Sequence, residues 1–246
     1  MPYSYEGKRV LITGGAGGIG AAAAEAYRQA GAQVAAFDIA FGQERERDGV
    51  YELPVDLADP AGVAAAFARL WERWDSLDVL VNNAGVECVA SLEETTDAAW
   101  DRVMNVNLRS VFLCCRSALP KLKAARGNIV NTASQLAFVG ASSFTAYTAS
   151  KAAVVNFTRS LALETAKDGV RVNCVCPGAI DTPLLRRQFE GRRGPQGTLD
   201  DLVGMHPLGR LGRPEEIAAC ILFLSGPAAS FVTGSALLAD GGYTIQ

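Results

Sequence analysis

The chain repeats one alternation from end to end: a short apolar run, a turn rich in glycine or small polar residues, then a longer stretch of helix-forming residues. Arg9-Val10-Leu11-Ile12-Thr13 is the first such run, and its unbroken apolar centre predicts a buried strand. Gln33 to Phe37, Val50 to Val55, Leu77 to Val81, Asn128 to Ala133, Val170 to Val175 and Ala236 to Leu238 repeat it, giving seven strands. Ala21 to Ala30 has helix-forming composition and stops at Gly31. Asp59-Pro60 reads as an N-cap with proline at the first helical position, opening an amphipathic helix to about Trp74. Thr96 or Asp97 opens a long helix to about Lys123, and two more run from about Ser142 to Asp168 and from Pro214 to about Leu224. This alternation specifies one doubly wound α/β unit over 1–246, with a mostly parallel seven-stranded sheet and helices on both faces.

Two stretches break the pattern. Gly42 to Gly49 is polar and reads as a loop or short irregular turn. Residues 181–212 are irregular, with Pro183, Gly191, Gly194, Pro195, Gly197, Pro207 and Gly209 beside Arg186, Arg187, Arg192 and Arg193. So long an excursion in a compact domain reads as a lid over a site. Its arginines suit either a carboxylate or phosphate, or a solvated loop balanced by Glu190, Asp200 and Asp201.

Composition narrows the function classes. A chain of 246 residues that is 49% hydrophobic and 20% charged is long enough for one sizeable core. No run of 18 apolar residues exists and the stretch from Met1 to Lys8 is polar, which predicts a cytoplasmic protein that does not enter a membrane. A net charge of −3 argues against nucleic acid as a partner. Six cysteines lie in hydrophobic stretches and read as reduced packing residues. None has the two-residue spacing of a zinc site, and the single histidine is His206, so no metal site is expected. Proton chemistry falls to Tyr, Lys or carboxylates.

Tyr147-Thr148-Ala149-Ser150-Lys151 supplies such a pair, because four residues on a helix put Tyr147 and Lys151 on one face. Lowering a phenol by about 3 units takes roughly 4 kcal/mol, which a unit charge at about 4 Å supplies in a surface-like dielectric. The spacing alone also fits a half-buried Tyr beside a solvated Lys. Farther upstream, the first strand runs into Gly14-Gly15-Ala16-Gly17-Gly18-Ile19-Gly20 and then a helix, the Rossmann-type arrangement in which backbone N–H groups face a phosphate. Asp38, eighteen residues past Gly20, falls where that fold places an acid on the adenosine ribose, and a carboxylate there repels a 2′-phosphate. NAD is therefore expected over NADP. Asn82-Asn83-Ala84-Gly85 lets a ligand lie close to backbone. Asn105 and Asn107 fall inside a predicted helix, where Asn is mildly unfavourable.

In order along nearly the whole chain, Thr13-Gly14-x-x-x-Gly18-Ile19-Gly20, Asp38, Asp56, Asn82-Asn83-Ala84-Gly85, Asn107, Ser134, Tyr147-x-x-x-Lys151 and Pro177-Gly178-x-Ile180-x-Thr182 appear. Together they resemble the short single-domain branch of the short-chain dehydrogenase/reductase superfamily. The resemblance implies an NAD-dependent oxidoreductase moving a hydride to or from a secondary alcohol or ketone of a small substrate. It implies Tyr147 as acid/base and Lys151 as the group that holds the nicotinamide ribose and lowers the Tyr pKa. Ser134 would bind the reacting oxygen, and Asn107 would hold a water in a proton relay. Gly14, Gly18, Ile19 and Gly20 would take the phosphates, Asp38 the ribose, Asp56 and Leu57 the adenine. Asn83, Ala84 and Gly85 would line the cofactor, and Pro177, Gly178, Ile180 and Thr182 would bind its nicotinamide end. Ser134, Gln135, Phe144, Tyr147 and Leu184 would bind substrate, with Phe138, Ala141, Ala179 and Leu184 to Phe189 as the wider pocket. The connection from Asp38 to Asp56 is short for the family, which argues against a full helix there, and Asp38 to Glu44 is also similar to dehydrogenases of cyclic dihydrodiols. Self-association as a homotetramer is implied as well. Two other readings fit: an NADPH-dependent reductase of a keto substrate such as a 3-oxoacyl thioester, and a dinucleotide-binding sensor without turnover.

Overall fold

The computed structural model describes residues 4–189 and 197–245. Its centre is a sheet built from β1 (Arg9–Thr13), β2 (Gln33–Asp38), β3 (Arg45–Arg47), β4 (Val50–Pro54), β5 (Val79–Asn82), β6 (Asn128–Thr132), β7 (Arg171–Pro177) and β8 (Ala236–Ala239). The spatial order is β3-β4-β2-β1-β5-β6-β7-β8. Every neighbouring pair is parallel except β3 with β4. The helices are α1 (Gly18–Gln29), α2 (Pro60–Arg73), α3 (Asp97–Met104), α4 (Ser110–Ala125), α5 (Thr145–Thr165), α6 (Pro183–Arg187), α7 (Leu199–Gly204) and α8 (Pro214–Ser225). No helix among the described residues is long and apolar enough to cross a membrane.

Side-chain alternation within each strand feeds two separate cores. Leu11, Leu80, Ile129, Val172 and Cys174 face one side, where they pack with residues of α2, α4 and α5. Val10, Ile12, Val79, Val81, Val130 and Val175 face the other, against α1 and α8. Both faces are covered, which is why these strands read as continuous apolar runs. Tyr5 fastens the second layer: its hydroxyl donates to the Leu222 carbonyl at 2.6 Å, and its ring meets Tyr27 edge-on at 4.9 Å.

The sheet has eight strands where the apolar pattern predicts seven. The added strand lies in the polar stretch read as a loop, where Arg47 pairs with Val50 across Asp48 and Gly49. Both turn residues have positive φ (51° and 77°), the Asp-Gly chemistry of a two-residue hairpin. β3 is exposed throughout, so it has no apolar signature. Its charges hold it: Arg45 donates to Glu52 at 2.6 Å, and Glu46 accepts from Arg73, whose guanidinium lies 4.4 Å from the centre of the Tyr51 ring. The described residues of 181–212 also hold more regular structure than the glycines and prolines there suggest. Thr182 caps α6 with Pro183 at the first position, and Thr198 with Asp201 forms a reciprocal capping box on α7. Glu190, Arg192 and Arg193 lie outside the described residues.

The helix expected from Thr96 to Lys123 contains a wide turn. Asn105–Arg109 is a π-helical segment between α3 and α4. Asn107 sits at its centre with 0% exposure, so its position in a helix follows from that turn.

The glycines of the turn after β1 differ in backbone conformation and in the room around them. Gly14 and Gly18 have φ of +70° and +54°, and a Cβ on Gly14 would lie 2.8 Å from the Ala84 Cα. Gly17 is extended, with φ −167°, and no atom lies within 4 Å of a Cβ built on it. Gly14→Ala is therefore expected to destabilise the protein by about 1–3 kcal/mol, whereas Gly17→Ser, which suits the N-cap of α1, leaves the thermal midpoint nearly unchanged. Equal midpoint losses in thermal unfolding would contradict this assignment.

Candidate active site

Strand order reverses at β1, which pairs with β2 on one side and β5 on the other. Loops leaving such a reversal separate and open a crevice beyond the strand ends. Here it has a volume of about 880 Å³. Gly14, Gly18 and Ile19 line it from the first turn, Asp38, Asp56 and Leu57 from beyond β2 and β4, and Asn83, Ala84 and Gly85 from beyond β5. On the β6 and β7 side it is lined by Ser134, Tyr147, Lys151, Pro177, Gly178, Ile180, Thr182 and Leu184. Residues from seven separate stretches thus share one surface.

The crevice floor is laced across the reversal. Thr13 Oγ1 accepts from the Asn83 and Ala84 backbone N–H groups at 3.0 and 3.3 Å, and Asn83 Nδ2 donates to the Gly14 carbonyl at 3.2 Å. Asp38 joins the first turn to the end of β2, accepting from the Ala16 N–H at 3.0 Å and the Ala40 N–H at 2.9 Å. Gly20 lies beneath this surface: a Cβ there would come within 2.8 Å of the Gly14 carbonyl carbon. It fixes the approach of α1 to the turn and does not line the crevice.

Lys151 is 3% exposed, and its ammonium donates to the Thr132 carbonyl at 2.8 Å. Burial pulls its pKa down to about 8, against a smaller opposing influence from Cys176 and Glu87. Tyr147 shifts away from its ordinary value in the direction opposite to the one its spacing from Lys151 suggests. Its phenol is raised, first by burial and then by the charge of Glu87, with a hydrogen bond to Ser134 pulling it partly back. The lysine faces the end of β6, and its Nζ stands 5.8 Å from the centre of the Tyr147 ring. A helical turn brings the residues together, but the buried carbonyl decides where the charge points.

Asn107 does not line the crevice, and its amide is engaged from behind. Nδ2 donates to the Val86 carbonyl and to Ser150 Oγ, both at 3.0 Å, while Oδ1 accepts from the Val86 N–H at 2.8 Å. A Cβ built on Gly85 would touch Lys151 Nζ at 3.4 Å and Asn107 Oδ1 at 3.5 Å, so a glycine there keeps the space between these two groups open. Gln135 and Phe144 are buried and lie outside the crevice lining. Phe144 meets the Tyr147 ring edge-on at 6.2 Å, and Gln135 Oε1 points at Gly178, where a Cβ would stand 2.8 Å away. Phe138 is 43% exposed and also outside the lining.

Sequence reasoning missed Glu87, which lines the crevice two residues after Asn82-Asn83-Ala84-Gly85. A lone carboxylate inside the apolar run Val86 to Ala90 was the available signal. Arg102, Val106 and Arg187 line it as well.

Comparison with known proteins agrees with this geometry. A family profile described as Enoyl-(Acyl carrier protein) reductase matches residues 14–244. Cis-4-hydroxycyclohexanecarboxylate dehydrogenase of Sinomonas cyclohexanicum is 42% identical over 253 residues, covering 99% of each chain. Ligand-free aldohexose dehydrogenase of Thermoplasma acidophilum superposes with a TM-score of 0.90 at 35% identity, covering 98% of this chain and 95% of its own. The structure of ElxO with NADP bound gives 0.89 at 30% identity, over 98% of this chain and 100% of its own. With the fold, the ordered motifs and these matches in agreement, the chain belongs to the short-chain dehydrogenase/reductase superfamily, in its short single-domain branch, and is an NAD(P)(H)-dependent oxidoreductase.

Proposed function

We propose that this enzyme uses NAD to oxidise a secondary alcohol of a small substrate to the ketone, with Tyr147 as the proton acceptor. The observation that carries the reading is the meeting of Ser134, Tyr147 and Lys151 at one side of a crevice whose other side bears Asp38. The crevice suits a dinucleotide, since Gly14, Gly18 and Gly178 stand where a side chain would collide with backbone or with Thr182. Gly14, Gly18 and Ile19 would hold the phosphates, Asp56 and Leu57 the adenine, Asn83 to Gly85 the middle of the molecule, and Pro177, Gly178, Ile180 and Thr182 the nicotinamide. When bound there, NAD+ supplies a hydride acceptor and one positive charge.

The chain's own groups handle the proton. Ser134 donates to the substrate oxygen and stabilises charge forming on it. Tyr147, in its tyrosinate form, takes the hydroxyl proton as the C–H bond gives up its hydride, and returns a proton in the reverse direction. Lys151 binds ribose hydroxyls and remains cationic at neutral pH, because even its lowered pKa is about 8. The gap kept open by Gly85 between Asn107 and Lys151 suits a water that would carry protons from Lys151 outward.

Cofactor choice rests on Asp38. Family membership leaves it open, since the ElxO structure holds NADP. The Asp38 carboxylate, fixed by two backbone N–H groups, sets a negative charge where a 2′-phosphate would add more. NAD in turn favours oxidation. Reduction of a 3-oxoacyl thioester with NADPH is the reading that Asp38 opposes.

Tyr147→Phe is expected to keep the thermal midpoint and NADH binding while lowering turnover at least 100-fold, the range for loss of a general acid/base; retention of a tenth of the rate would assign the proton to another group. NADH is expected to raise the midpoint in a thermal-shift assay more than NADPH, and the reverse order would remove both the Asp38 argument and the preference for oxidation. Lys151 has a folded pKa of about 8 against an ordinary 10.5, so the unfolded chain binds more protons between those values and its contribution to stability rises with pH across that window. The gap in unfolding free energy between wild type and Lys151→Met should therefore change in favour of wild type by up to about 3 kcal/mol from pH 8 to 10.5, and a flat difference would show that burial does not depress the ammonium.

A further inference from the structure

The crevice carries three carboxylates. Asp38 and Asp56 lie on the β2 and β4 side, while Glu87 lies within electrostatic reach of Tyr147 and Lys151. Proton transfer has no use for a negative charge there: Glu87 makes the phenol a poorer acid, which disfavours the tyrosinate that would take a proton from an alcohol. Its own carboxyl is pushed up by burial, with Gln188, Lys151 and Arg187 acting against that shift. A half-buried carboxylate beside the reacting groups is costly to keep, so its recognition chemistry is the feature to explain.

Among the described residues one hydrogen bond holds Glu87. Its Oε2 accepts from Gln188 Nε2 at 2.6 Å, across 101 residues of chain, and Gln188 caps the end of α6. Among the described residues Oε1 has no hydrogen-bond partner. An ionised carboxylate only accepts, so a substrate group that meets Oε1 in the crevice is a donor. The reacting oxygen is already taken by Ser134 and Tyr147, which assigns the donor to a different atom of the substrate. Lys151 and Arg187 both place positive charge near Glu87, which disfavours an ammonium and favours a neutral hydroxyl.

Resting on the NAD-dependent alcohol oxidation proposed above, we infer that Glu87, positioned by Gln188, accepts a hydrogen bond from a second substrate hydroxyl and so selects polyols, sugars or cyclic diols over simple alcohols. Charge-assisted hydrogen bonds of this kind are roughly twice as strong as neutral ones, and they discriminate because an analogue lacking the hydroxyl leaves one oxygen of the half-buried carboxylate without that donor.

The test compares kcat/KM for cis-cyclohexane-1,2-diol, D-threitol and D-glucose with that for cyclohexanol and for 2-aminocyclohexanol, using NAD+ and NADP+. Wild type is expected to prefer at least one polyhydroxy substrate over cyclohexanol by tenfold or more. In Glu87→Gln that ratio falls about tenfold, mainly through KM, and in Glu87→Leu it falls further. Gln188→Leu, which loosens the carboxylate without removing it, is expected to lower the ratio by a smaller factor. NADH affinity and the thermal midpoint establish that each variant is folded, and the two-variant series at Glu87 covers a failure of either one to fold. Turnover of cyclohexanol with no preference for a second hydroxyl, an unchanged ratio in both Glu87 variants, or a preference for the amino alcohol would overturn the assignment while leaving alcohol oxidation standing. No turnover of any member with either cofactor would remove the functional reading, and the role of Glu87 with it.

Discussion

Everything in this molecule that bears on chemistry depends on β1 forming parallel hydrogen-bonded ladders with β2 on one side and β5 on the other. The ladders align Thr13 with Phe37 and with Asn82, so the turns after the three strands begin at the same height. Because successive connections leave in opposite directions from that point, the loops separate and a crevice remains. The outer pairings extend the same level edge: Asn82 aligns with Asn131, and Thr132 with Val175. A slip of one residue at any pairing would turn its apolar row away from its core, so the cores on the two faces also guard the alignment of the site.

The electrostatics of the β6 and β7 side follow from this construction. Asn82 donates to Asn131 at 2.8 Å and Asn131 to Thr158 at 2.9 Å, a buried polar line that joins β5, β6 and α5. Lys151 is buried beside this line, and Tyr147 is partly buried at the crevice. Shielding acts on both partners in the same sense, raising the phenol and lowering the ammonium, so each is pushed toward its neutral form. A bound cation near the phenol would shift that balance back toward the charged tyrosinate.

Much of this was legible in the residues because the signals were local. Apolar runs marked the parallel strands, Asp59-Pro60 marked a helix start to the residue, and Gly14 and Gly18 proved to have the positive φ that favours glycine. What escaped was set by distant partners. β3 has no apolar residue to announce it and is held by ion pairs from β4 and α2, although Asp48-Gly49 carried a turn signal that polarity masked. Glu87 gains its interest only from Gln188, 101 positions away, and from Lys151 and Tyr147 across the crevice. The sign of the Tyr147 shift likewise depends on burial and on that carboxylate, neither of which spacing along a helix reveals.

The π-helical turn at Asn105–Arg109 divides one long rod into two halves with different duties. Before it, Arg102 faces the crevice; beyond it, Val111, Cys114, Cys115, Ala118 and Leu122 are locked into the sheet's core. A wide turn changes the angular phase of whatever follows, so the two halves need not share a face. A substitution in the outer half can then alter the crevice while the inner half goes on anchoring the fold, with the wide turn acting as a joint between the two.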